Sequence, residues 1–152
     1  MYQYQVSFGE AVKRAFSQYC KFTGRASRSE YWWFFLFLSI INIIFSGGSS
    51  FFTVKGVFDG TITSEISALL NPFVIASGIW GLIILLPTWG LLFRRLHDTG
   101  RSGWNCLWGL LPFIGSIILI VYCCQESQPG ENKYGPMPNL TEGNCSAIAK
   151  QA

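Results

Sequence analysis

The densest group of reactive side chains in this 152-residue sequence is Arg94-Arg95-Leu96-His97-Asp98-Thr99-Gly100-Arg101-Ser102-Gly103-Trp104. Arg94, Arg95 and Arg101 present planar guanidinium groups suited to two-point hydrogen bonding of a phosphate or carboxylate, and His97 beside Asp98 can exchange a proton near neutral pH. Arg25 and Arg28, in Thr23-Gly24-Arg25-Ala26-Ser27-Arg28-Ser29-Glu30, are a second basic set placed to reach lipid phosphates. A plainer role competes with the anion-site reading: a positive turn that fixes membrane topology and ties itself together through Arg to Asp98 hydrogen bonds.

The remaining chemistry is sparse. His97 is the only histidine, so a multi-histidine metal site is excluded and a Ser/His/Asp triad would rest on an unplaced nucleophile. The sequence contains no GxxxxGK[ST] loop and no GxGxxG, and its five cysteines include no CxxC pair. Vicinal Cys123 and Cys124 read as small apolar residues more readily than as a redox or acylation site. Asn139-Leu140-Thr141 and Asn144-Cys145-Ser146 match the glycosylation pattern, which means little outside a eukaryotic secretory context. The expectation is a protein that is not an enzyme and holds no metal or cofactor.

The elements that carry these residues are set by three apolar stretches free of Arg, Lys, Asp and Glu: Tyr31 to Ser46, Leu69 to Phe93 and Trp104 to Cys124. With 16% aromatic and only 12% charged residues, the composition suits a lipid solvent better than a soluble core. At 1.5 Å per helical residue the first run measures about 24 Å and must continue into Gly47-Gly48-Ser49-Ser50 to span. The second, about 37 Å, spans with tilt, and Pro87 predicts a kink near its end.

Leu111-Pro112-Phe113-Ile114-Gly115 interrupts the third run. It either kinks one spanning helix or divides the run into two halves that enter and leave on one side; length favours the single crossing, since a hairpin needs its backbone shielded. Ser77 and Gly81 form a weak small-xxx-small pair.

Phe8, Val12, Ala15, Phe16 and Tyr19 recur at helical spacing, with Glu10, Lys13, Arg14, Ser17, Gln18 and Lys21 opposite. The amphipathic helix so predicted lies either in the membrane surface or on the protein's own helices. Ser27 and Glu30 form a capping box at the start of the first membrane helix. Lys55 to Ser67 reads as an aqueous loop, and Pro129-Gly130-Glu131-Asn132-Lys133-Tyr134-Gly135-Pro136 opens an irregular tail, disordered over its last dozen residues.

The chain is therefore expected to be all-α. Segment 1–30 is a cytoplasmic amphipathic stretch, 31–124 a polytopic membrane bundle with three spanning helices (about 31–50, 69–93 and 104–124), and 125–152 a polar tail. Lys13, Arg14, Lys21, Arg25 and Arg28 precede the first run and three arginines lie between the second and third, so the N-terminus and the arginine turn should be cytoplasmic, and three crossings put the tail outside. Membrane lipids, and a second copy or another membrane protein, are the expected partners; nucleic acid is not.

Three segments together, FTGRASRSEYW from Phe22, FRRLHDTGRSGW from Phe93 and PGENKYGP from Pro129, resemble domain-of-unknown-function family 805, bacterial inner-membrane proteins. The likeness runs from about Phe8 to Pro138. It implies a multi-pass inner-membrane protein and brings no catalytic residue with it. It marks the arginine turn and the tail motif as the better candidates for a binding role, either in a non-catalytic component that binds anionic lipid or a partner, or in a small transporter or transporter subunit with a path near Pro87 and Pro112.

Overall fold

A computed structural model describes residues 5–61 and 71–138, and among these all extended regular structure is helical. The elements are α1 (Phe8–Ser17), α2 (Arg28–Phe58), α3 (Pro72–Asp98), a 3₁₀ helix η1 (Gly103–Leu110) and α4 (Ile114–Cys124). Two compact units emerge: one from the chain before Phe35 together with the chain from Pro87 onward, the other from Phe35–Leu86.

In the first unit, α1 starts where Ser7 Oγ accepts the Glu10 amide, and its i,i+4 pair Glu10–Arg14 supports the first turns. Ala11 and Ala15 are fully buried, with Phe8 edge-on to Trp33 and Phe16 edge-on to Phe34. The apolar face therefore rests on the protein itself through two small residues that allow close approach.

α2 starts as its capping signal predicts, Ser27 Oγ accepting the Glu30 amide at 3.3 Å. It runs 31 residues, about 46 Å, through the Gly47-Gly48 segment as the short first run requires. Lys55, expected in a loop, is still helical; the helix ends at Phe58, before Gly60 at φ +67°. Residues 62–67 of the expected loop, and the expected start of the second run at Leu69, lie outside the described residues, as do both Asn-x-Ser/Thr sites and the last dozen residues.

In the second unit, Asn71 Oδ1 caps α3 by accepting the Phe73 amide at 2.9 Å, with Pro72 in the first helical position. Asn71 Nδ2 also donates to the Ser49 carbonyl and the Thr53 hydroxyl, which ties the start of α3 to α2. Gly48 lies where an added Cβ would collide with the Phe73 ring, whereas Gly81 of the Ser77/Gly81 pair faces open space. α2 and α3 are the two described helices long and apolar enough to cross a membrane, and few residues of either apolar stretch are buried within the protein.

The third run differs from expectation. It is not one helix: η1 ends at Leu110, Phe113 adopts φ +62°, and α4 has only 11 residues, about 16 Å, roughly half a hydrocarbon core. Proline 112 lacks the amide a continuous helix would use, and Gly115 lies against the Trp108 carbonyl, so the run folds back on itself. Among the described residues two helices are long and apolar enough to cross a membrane, and the third run, expected as one helix, is divided into η1 and the shorter apolar α4.

Candidate functional site

Asp98, the last residue of α3, is the centre of the polar cluster. Its Oδ1 accepts Arg25 Nε at 2.9 Å, and its Oδ2 accepts both Arg95 Nη1 and the Ser127 hydroxyl. Its carbonyl takes the Gln128 amide at 3.0 Å. The carboxylate is fully buried and is paired with two guanidinium groups, which offset the cost of burying its charge.

Arg25 reaches further into the tail. Nη1 donates to the Gly130 carbonyl at 2.6 Å and to that of Gly135 at 3.4 Å, and Nη2 donates to the Gln128 carbonyl at 2.6 Å. Arg95 extends the other way: Nε to the Cys123 carbonyl at 3.1 Å, Nη1 to the Ala26 carbonyl at 3.3 Å and Nη2 to the Gln125 carbonyl. These two side chains clamp the pre-α2 segment, the end of α4 and the tail onto one helix end. Lysine, with a single nitrogen, has no fork for such work.

Arg94 makes a separate buried pair with Glu30 at 3.2 Å and donates to Gln18 Oε1 just past α1. Gln18, read from periodicity as part of a polar outer face, is thus turned to protein. Arg94 Nη2 is buried and has no partner among the described residues. Glu30 joins cap and ion pair: its amide closes the Ser27 cap while its carboxylate holds Arg94.

His97 stacks on Tyr134 with ring centroids 3.8 Å apart and planes within 10°, its Nδ1 lies 3.3 Å from the Gly24 carbonyl, and its own carbonyl accepts Asn132 Nδ2 at 3.0 Å. Asn132 Oδ1 in turn accepts the Tyr134 amide, and Asn132 and Gly135 exchange backbone hydrogen bonds that close the tail turn. His97 and Asp98 are therefore brought to the same place but face different partners. Arg101 sits over the Tyr122 ring at 3.8 Å and donates to Gln125 Oε1 at 2.8 Å.

The five arginines expected to meet an anion divide. Arg25, Arg94 and Arg95 are 8%, 2% and 0% exposed, not open to solvent as a surface turn would leave them. Arg28 is exposed, bridging to Glu126 at 3.6 Å and to the Cys124 carbonyl, and Arg101 is half-buried. Sequence reasoning missed Ser127, Gln128 and Gln125 of the loop after α4, Gln18, and Glu30 as an ion-pair partner. Adjacent Arg94 and Arg95 at the end of an apolar run would have been the signal, since a cation drawn inside demands an acceptor.

The three segments that converge here, the pre-α2 stretch, the arginine turn and the tail, all fall within the stretch that one family profile matches. The profile of a family described as "Protein of unknown function (DUF805)" matches residues 19–136. This chain belongs to that family. It is 42% identical over 127 residues to the "Inner membrane protein YhaH" of Escherichia coli strain K12, covering 84% of this chain and 94% of that protein. It is 37% identical over 122 residues to "Inner membrane protein YhaI" of the same strain, covering 80% and 89%. No solved structure matches. The relatives place the DUF805 chain among inner-membrane proteins and name no activity.

Proposed function

We propose that this protein is a non-catalytic component of the bacterial inner membrane that holds its motif cluster on the cytoplasmic side and offers anionic phospholipid headgroups the cations the cluster leaves outside. The observation that carries this reading is the division of the basic residues. Arg25, Arg94 and Arg95 are consumed by internal carboxylates and carbonyls, whereas Lys13, Lys21, Arg28 and Lys133 remain exposed. Clusters of surface Lys and Arg beside an apolar helix attract anionic headgroups at about 1 kcal/mol per residue. Five cations up to the start of α2 (Lys13, Arg14, Lys21, Arg25 and Arg28) and three around the end of α3 (Arg94, Arg95 and Arg101) support a cytoplasmic N-terminus.

Purification into nanodiscs of mixed phosphatidylethanolamine and phosphatidylglycerol, followed by native mass spectrometry, tests the reading. Phosphatidylglycerol should be retained in preference, and Lys13, Lys21, Arg28 and Lys133 changed together to Gln should lose that preference. Equal retention of both lipids by the unaltered protein contradicts it.

A further inference from the structure

We propose that 103–124 is a re-entrant hairpin whose tip is seated among the phospholipid acyl chains of a single leaflet, so that the chain leaves the membrane on the side it entered from. The two ends of the segment meet: Arg101, just before η1, donates to Gln125, just after α4, and covers Tyr122. Arg95 fastens the same exit through the carbonyls of Cys123 and Gln125. A helix that crossed the bilayer would part these ends by about 30 Å.

The arms have the length of half a core. Eight residues of 3₁₀ helix at about 2.0 Å and 11 of α-helix at about 1.5 Å each give roughly 16 Å. They are held together where Gly115 meets the Trp108 carbonyl and Gly109 meets Leu119.

The tip is built for hydrocarbon. Leu110, Phe113 and Ile114 are 77%, 84% and 66% exposed, and the segment from Gly103 to Cys124 contains no ionisable side chain other than those of Cys106, Tyr122, Cys123 and Cys124. Shielding the irregular backbone of the tip requires that its amides find acceptors within the hairpin, since an unsatisfied amide in hydrocarbon is costly. Here the amides of Leu111, Ile114, Gly115 and Ile117 donate to the carbonyls of Trp108, Pro112, Leu111 and Phe113, and Pro112 has no amide. Acyl chains are the occupant that matches: the exposed surface is apolar at its end and ionic only at its base, as a depth gradient demands.

This inference rests on the membrane reading but not on which side is cytoplasmic. The test uses the full chain, its native cysteines replaced by Ala, with a nitroxide at Phe113→Cys, Trp104→Cys or Val121→Cys in phospholipid nanodiscs. The ratio of oxygen to nickel-chelate accessibility at 113 should exceed that at 104 and 121 several-fold. A label at 113 open to nickel, or closed to both reagents as under a second copy or a partner, overturns the proposal.

A second measurement leaves the cysteines untouched: green fluorescent protein and alkaline phosphatase fused in turn to each terminus in cells. Both termini on one side are expected, and opposite sides overturn the hairpin. Both termini outside would keep the hairpin and overturn the cytoplasmic orientation proposed above.

Discussion

Arg25 Nε donates to Asp98 Oδ1 at 2.9 Å across 73 residues of sequence, with both side chains fully buried. The pair joins two of the three segments on which the family resemblance rests, and Arg25 carries the link on to the third through the Gly130 carbonyl and to the Gln128 carbonyl just before it. A buried carboxylate between two guanidinium groups is costly to form and costlier to break from one side, because the survivors stay buried and uncompensated. The cluster therefore behaves as a lock whose loss is felt along the whole unit.

Arg95→Lys preserves charge and, with it, membrane orientation, but surrenders most of the bonds to Asp98, Ala26, Cys123 and Gln125. We expect a loss of about 2–4 kcal/mol, read as a lower midpoint of thermal unfolding in detergent. Arg101→Lys, half-exposed, should cost under about 1 kcal/mol. Equal losses at the two positions would contradict the clamp.

The tail turn is docked by His97, Tyr134 and Asn132. Asn132→Ala removes the donor to the His97 carbonyl and the acceptor for the Tyr134 amide, so tail docking should weaken by about 1–3 kcal/mol. Trypsin cleavage after Lys133 should accelerate correspondingly, while cleavage after Lys13 stays unchanged.

Two glycines in the divided third run separate packing from composition. Gly115→Ala places a methyl on the Trp108 carbonyl, at 1.6 Å before any relaxation, and should open the hairpin, with a loss of about 3 kcal/mol or more. Gly109→Ala meets only the Leu119 methyl at 3.4 Å and should be close to neutral. Similar unfolding midpoints for both variants would mean that the two arms do not pack as described.

For α1, replacing Phe8, Val12 and Phe16 by Ser removes the ring contacts to Trp33 and Phe34 but leaves the long helices untouched. The first 20 residues should come loose without loss of insertion, seen as faster proteolysis at Lys13 and Arg14. An unchanged rate would show that the buried Ala11 and Ala15 alone hold the helix.

Much of this was legible in the chain. The apolar runs give α2 and α3, Ser27 gives the cap, Pro87 falls inside α3, and the proline-rich tail stays irregular, because each depends on local chemistry. The amphipathic pattern from Phe8 gives α1 but not what covers it, since lipid and protein are equally apolar. Length argued for one continuous helix from Trp104 to Cys124; the turn at Phe113 and the Gly115–Trp108 contact, both tertiary in origin, divide the run instead. The arginines misled most. A positive turn flanking apolar runs has the same composition whether its side chains face headgroups or fold inward onto Asp98 and Glu30, and the acceptors that draw Arg95 inside include the Ala26, Cys123 and Gln125 carbonyls, all distant in sequence.

The central claim, that the pre-α2 segment, the arginine turn and the tail close over the buried Asp98 carboxylate, is tested most directly by a double-mutant cycle on Arg25→Gln and Asp98→Asn, followed by unfolding in detergent. Each single change should destabilise by about 3–5 kcal/mol, and the double variant by clearly less than their sum, with a coupling of about 2 kcal/mol. Additivity within about 0.5 kcal/mol would contradict the account.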